Sequence, residues 1–278
     1  MAERRVELTE LEQAIAIARE AGEVVSALRG GELGVEMKPG DEPVTIADRR
    51  ASELIVARLR AAFPDDPVIS EEQPPAEGAL ASHRLWLVDP IDGTKDFIRG
   101  SDGFSVMVGL CEAGRPVLGV VHQPAAGRTF YASPAGAFVE TAAGRAPLAV
   151  SSVASAGQAR LVASASHRTA DIDRVKRTLG IADEQNVGSV GVKLCLIAMG
   201  VRDLYVNPTS KTKAWDTCAP EAILVRAGGR LSDLLGAPID YVRELRQLRG
   251  LVASNGHVHD EVIAKLAPLF PHLATRRP

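Results

Sequence analysis

A chain of 278 residues, 46% hydrophobic and 24% charged, can bury one large core or two modest ones and has the make-up of an ordinary globular protein. Its net charge of −3 and aromatic content of 4% exclude a module built to grip a nucleic-acid polymer through basic patches and stacking platforms. A basic pocket for one small anion remains compatible with that balance. No apolar run reaches the about 18 residues of a membrane-spanning helix, and three scattered cysteines (Cys111, Cys195 and Cys218) read as buried thiols of a reducing compartment, the cytoplasm.

The N-terminal stretch is charged and amphipathic and lacks an apolar signal core. Leu11, Ala14, Ile15, Ala18 and Val24 recur at helical spacing, which predicts a first helix over 8–30 that stops at Gly30-Gly31. A loop containing Lys38, Pro39 and Gly40 leads to a second helix over 46–63, ended by the Pro-rich run Phe63-Pro64-Asp65-Asp66-Pro67. Residues 68–70 read as a short strand, and 84–89 as a buried strand that Pro90 breaks. Apolar runs at 104–111, 116–123 and 129–132, separated by Gly and Pro turns, predict an antiparallel meander. The Ala-, Gly- and Pro-rich segment 133–148 is the expected seam between an N-terminal α+β sub-domain, 1–148, and a C-terminal α/β sub-domain, 149–278. In the second half, strands at 160–164, 186–189, 203–206 and 251–254 alternate with helices at 170–179, 191–200, 216–227 and 257–267.

The chemistry concentrates in Trp86-Leu87-Val88-Asp89-Pro90-Ile91-Asp92-Gly93-Thr94-Lys95-Asp96-Phe97. Two carboxylates three positions apart at a strand-to-helix elbow, joined by the Ile91 carbonyl, offer the all-oxygen surroundings that Mg²⁺ prefers. The N–H groups of Gly93 and Thr94 at a helix start favour a phosphate. The structural alternative is a capped turn in which Asp89 and Asp92 only accept backbone N–H groups. Glu71-Glu72, after the short strand, reads as a solvated loop or as a further ligand pair. Asp216, ahead of an apolar helix, reads as an N-cap or as a ligand. One metal site accounts for all of them together. His257 and His259, two apart at a helix start, do not face each other and make no metal site.

Glu71-Glu72, DPIDGTKDF at 89–97 and WDTCAPEAIL at 215–224 resemble, in order and spacing, the three signature blocks of the inositol monophosphatase superfamily of lithium-sensitive, magnesium-dependent phosphatases. Lys95-Asp96-Phe97, Ser164-Ala165-Ser166-His167, Gly191-Val192-Lys193 and the form of the last block look most like its 3′(2′),5′-bisphosphate nucleotidases. Ala165 departs from that pattern, where those enzymes carry arginine.

The resemblance implies an α+β fold, a layered α-β-α-β-α sandwich of the fructose-1,6-bisphosphatase-like type. It implies two or three Mg²⁺ ions, the first on Glu71, Asp89 and the Ile91 carbonyl, the second on Asp89, Asp92 and Asp216. Gly93, Thr94, Ser166, His167, Lys193 and Asp216 would contact substrate, although His167 and Lys193 also admit plain structural roles. A metal-bound water would attack phosphorus, with the Thr94 hydroxyl and an acid on the loop before the second helix taking its proton. Glu42 fits that acid by register and Asp41 by residue type, while Asp48 is expected to be only a helix N-terminal residue. The partner implied is a small phosphorylated metabolite, with no nucleic-acid polymer and no membrane, and a homodimer by analogy. An inositol or sugar phosphatase is the alternative within the class. A catalytically silent binding protein would have lost a metal carboxylate, and none of the expected positions is lost.

Overall fold

The computed structural model describes residues 2–40 and 42–275. Helix α1 (Ala2–Leu28) buries Leu11, Ala14, Ile17, Ala18, Ala21 and Val25, one stripe at three- and four-residue spacing. The stripe turns through Val25, and Val24 is left half-buried. A two-stranded hairpin that the apolar pattern gives no sign of, β1 (Glu36–Lys38) and β2 (Glu42–Val44), precedes α2 (Ile46–Ala62).

The chain then builds a seven-stranded sheet. β3 (Val68–Ser70) lies parallel to β4 (Arg84–Asp92), and short helix α3 (Thr94–Ile98) follows. An antiparallel meander continues through β5 (Ser105–Glu112), β6 (Arg115–Gln123), β7 (Arg128–Ser133), β8 (Gly136–Thr141) and β9 (Gly144–Pro147). The segment expected as a seam thus carries the last two strands of this sheet. Turn-rich composition there marks hairpin loops rather than a linker.

The second half gives β10 (Leu161–Ser164), α4 (Ala170–Leu179), β11 (Glu184–Val187), α5 (Val190–Ala198), β12 (Leu204–Asn207), α6 (Ala214–Arg226), β13 (Arg230–Ser232), β14 (Leu251–Ser254), α7 (His259–Leu266) and α8 (Pro271–Ala274). Its five strands form one sheet in the order β11-β10-β12-β14-β13.

Side-chain alternation along the strands sets the layers. Trp86, Val88, Val106, Val108 and Val120 pack with α1 and α2, whereas Leu85, Leu87, Met107 and Val121 pack with α5 and α6. In the second sheet, Val162, Tyr205 and Ala253 face that same middle layer, while Leu161, Leu204 and Val252 face α4 and α7. The result is the expected α-β-α-β-α sandwich. Helix α6 crosses the first sheet where β6 carries Gly119. A Cβ there would lie 2.1 Å from the Ala219 carbonyl oxygen, so only glycine lets the helix come this close. No helix among the described residues is long and apolar enough to cross a membrane.

Candidate active site

Strand β4 does not stop at Pro90. Asp89 pairs with Met107 and Asp92 with Ser105, so three steps on β4 oppose two on β5. Proline has no N–H for the ladder, and the extra residue is absorbed as a bulge. In a regular strand, residues three apart point to opposite faces. The bulge restores the phase, and Asp89 and Asp92 line the same cavity, of about 350 Å³.

Carboxylates from three elements meet at one wall. Glu71 follows β3, Asp89 comes from β4 and Asp216 from the first turn of α6, and one oxygen of each lies within 4.8 Å of the others. Asp216 is not the N-cap of α6. It occupies the third helical position, and its Oδ2 accepts the Lys213 N–H at 2.8 Å. Asp89 Oδ1 accepts the Ile91 N–H at 3.1 Å. Burial pushes the Asp89 and Asp216 carboxyls well above the usual carboxylate range, and repulsion by Glu71 and Asp92 adds to it. Asp92 stands outside this trio. Its Oδ2 accepts Ser189 Oγ–H at 2.5 Å and the Gly191 N–H at 2.7 Å, leaving Oδ1 outside these bonds. Crowded, buried, hard oxygen donors of like charge fit a divalent ion such as Mg²⁺.

Of the two hairpin carboxylates expected beside Thr94, Glu42 is hydrogen-bonded elsewhere, and the carboxylate that Thr94 meets is Asp48. Thr94 Oγ1 donates to Asp48 Oδ1 at 3.1 Å or, with its single proton, to the Ile91 carbonyl at 3.1 Å. Glu42 instead accepts Lys213 Nζ at 3.0 Å, an ion pair that holds its carboxylate, and Asp41 lies outside the described residues. Asp48 is aimed by a capping box: its Oδ2 accepts the Thr45 N–H at 2.8 Å and the Thr45 hydroxyl at 2.6 Å, which turns Oδ1 toward Thr94. The Thr-x-x-Asp spacing at 45–48 was an available signal for the cap, whereas the contact with Thr94 is tertiary.

Cationic side chains line the same cavity. Lys193 is buried, donates to the Gly188 carbonyl at 3.2 Å and lies 5.2 Å from the Tyr205 ring centre. It is therefore no solvated helix residue, and burial brings its ammonium down to about 8. His167 shares Nε2 with Lys95 Nζ at 3.0 Å and Nδ1 with Ser166 Oγ at 3.0 Å. Burial and then Lys95 hold its imidazole below the ordinary value, so neutral His167 is favoured. The neighbouring Arg168 is committed to Asp173 and Glu184. Gly93, Thr94, Lys95 and Lys211 also line the cavity. From the hairpin, Lys38 Nζ reaches Glu71 at 2.7 Å and Glu72 at 2.8 Å. Burial alone would depress that ammonium, but the two glutamates outweigh it and raise it. Lys38, Asp48, Ser189 and Lys213 were not among the expected site residues.

A cleft built by two sheets around an acidic trio defines the class, and residues 7–269 match the family model described as the inositol monophosphatase family. The chain belongs to that family. It is 39% identical to the 3′(2′),5′-bisphosphate nucleotidase CysQ of Salmonella typhimurium over 83% of this chain and 93% of that protein. It is 34% identical to a histidinol-phosphatase of Mycobacterium tuberculosis over 91% of this chain and 96% of that protein. Among solved structures, the Thermotoga maritima IMPase superposes with a TM-score of 0.81 at 28% identity, covering 95% of this chain and 99% of that one.

Proposed function

We propose that the chain is a Mg²⁺-dependent phosphomonoester hydrolase whose substrate is a 3′(2′),5′-bisphosphate nucleotide, 3′-phosphoadenosine 5′-phosphate being cleaved to AMP. The observation that carries this reading is one cavity lined both by the acidic trio Glu71, Asp89 and Asp216 and by the cations Lys95, Lys193 and Lys211. A monoester at the acidic trio needs a cation between itself and the carboxylates. A second phosphate on the same molecule meets the lysines without one. Curated nucleotidases at 36–39% identity support the substrate class.

In this reading Glu71, Asp89, the Ile91 carbonyl, Asp92 and Asp216 hold the ions. When bound, Mg²⁺ neutralises phosphate charge and acidifies water. The chain's own contribution is positional and protolytic. Thr94 Oγ1 receives the proton of the attacking water and passes its own to Asp48 Oδ1. The backbone N–H groups at Gly93 and Thr94 orient the phosphate, and neutral His167, its two ring nitrogens held by Lys95 and Ser166, presents a flat face to the base. The enzyme works in the cytoplasm, on a small soluble metabolite.

An inositol or sugar phosphatase is the second reading, favoured by Ala165, where the nucleotidase pattern has arginine. Chromatography of the products from 3′-phosphoadenosine 5′-phosphate tests the assignment. AMP plus inorganic phosphate is expected; loss of the 5′-phosphate instead, or no turnover, would sink it.

A further inference from the structure

Among the described residues, two that are not glycine have positive φ: Ala113, in the β5–β6 turn, and Ser189, at φ 50° and ψ 127°. A hairpin turn accounts for the first. Ser189 is different, because its extended ψ takes it outside the left-handed helical region that other residues tolerate. It is also flanked by glycines that have none of this strain. Gly188 needs its missing side chain, since a Cβ would lie 2.1 Å from the Gly103 carbonyl oxygen and 2.5 Å from Asp96 Oδ2. Gly191 needs the same, with Met107 Sδ 2.4 Å from where its Cβ would be. In Gly188-Ser189-Val190-Gly191, then, the unfavourable backbone falls on the residue that keeps a hydroxyl.

That hydroxyl is buried and fully used. Ser189 Oγ donates to Asp92 Oδ2 at 2.5 Å, accepts the Val192 N–H at 2.9 Å and lies 2.9 Å from Ser105 Oγ. Gly191 N–H donates to the same Asp92 oxygen at 2.7 Å. Ser105 is the cross-strand partner of Asp92 at the end of the bulge. One side chain therefore ties the start of α5, from the second half of the chain, to the carboxylate at the elbow of the first. An ordinary N-cap serine would do this without strain.

We propose that Ser189 is the positioning residue for Asp92: it takes up one carboxylate oxygen and thereby turns the other toward the bound cation. The inference rests on the metal-site reading above. Asp92 consequently offers a single oxygen, and its orientation depends on a hydroxyl at the cavity edge whose proton is committed to the carboxylate. Outer-shell hydrogen bonds of this kind are worth about 10–100-fold in metal affinity.

The test uses Mn²⁺ alone, titrated into chelator-stripped full-length protein, with free Mn²⁺ read by electron paramagnetic resonance and with Mg²⁺ as competitor. Ser189→Ala and Ser189→Gly should both bind about 10–100-fold more weakly than wild type. Without metal, the glycine variant should melt higher than the alanine variant, because it alone relieves the positive φ. Ser189→Thr, which keeps the hydroxyl, should restore affinity even though it melts lower. Ser232→Ala, a buried serine that bonds His259 away from the site, should lower the melting temperature and leave the affinity unchanged. Affinity within about threefold of wild type in both the alanine and glycine variants would overturn the role given to Ser189. Wild-type protein that binds no Mn²⁺ would overturn the metal site itself.

Discussion

Replacing Asp48 by Asn separates two jobs done by one carboxylate. Its Oδ2 closes the capping box at 2.8 Å from the Thr45 nitrogen, and its Oδ1 accepts Thr94 Oγ1 at 3.1 Å. An amide keeps the size and one acceptor. With the amide oxygen held in the cap, its NH₂ faces Thr94 and reverses the hydrogen bond, so Thr94 has nowhere to pass a proton. Loss of a positioned base costs about 10²–10⁴-fold, and kcat should fall by at least the lower figure. The amide oxygen keeps both bonds that Oδ2 accepted in the cap, so stability should change by less than about 1 kcal/mol, at most about 2–4 °C in Tm for a chain of this size. Glu42→Gln removes only the ion pair with Lys213, worth at most about 1 kcal/mol at a partly exposed site, and should leave kcat nearly unchanged. Phosphate release at saturating substrate and Mg²⁺, run beside thermal unfolding, reads both effects. If Glu42→Gln loses kcat and Asp48→Asn does not, the relay through Asp48 is refuted and the hairpin carboxylate is the base.

Three further outcomes follow from packing and charge. Glu221, buried in α6 against the Tyr241 hydroxyl, has its carboxyl pushed by burial from 4.5 up to about 7. A raised value means its stabilising effect is complete below pH 4.5 and is lost as pH rises through about 7, a loss of roughly 3 kcal/mol at 1.36 kcal/mol per pKa unit. Glu221→Gln should therefore resist urea better than wild type at pH 8 but not at pH 4.5; coincident curves at pH 8 would refute the argument. Gly119→Ala forces a Cβ to 2.1 Å from the Ala219 carbonyl and should cost about 1–3 kcal/mol. Its kcat should fall as well, because α6 carries Asp216, and an unchanged urea midpoint would count against the close approach. Asp89→Asn removes one of the crowded charges, so the metal-free protein should melt above wild type while Mg²⁺ no longer raises its Tm. A lower metal-free Tm would contradict the repulsion.

Much of the frame was legible because it rests on local periodicity. The α1 stripe, the meander over β5–β7 and the strand–helix alternation after Leu161 each follow from apolar spacing. What periodicity missed was short or irregular. The β1–β2 hairpin has three-residue strands with mostly exposed or half-exposed side chains, so no apolar pattern marks it. Pro90 signals a break, yet a bulge lets the strand absorb it, and that bulge is what turns Asp89 and Asp92 the same way. The acidic trio was readable from Glu71, Asp89 and Asp216 as a set. Its supports were not, because Lys38, Ser189 and Lys213 act through tertiary contacts that join segments tens of residues or more apart in the chain. Asp48 is the instructive case. Its capping role was visible in Thr45-x-x-Asp48, but a cap uses one carboxylate oxygen and leaves the other to the fold.

The most direct test of the central claim compares kcat/KM for phosphate release from 3′-phosphoadenosine 5′-phosphate and from inositol 1-phosphate, with Mg²⁺, with chelator, and in Asp89→Asn. The account predicts a clear preference for the nucleotide that disappears with chelator and in the variant. A preference for the inositol ester would contradict the substrate assignment, and release undiminished by chelator or by Asp89→Asn would contradict the metal site.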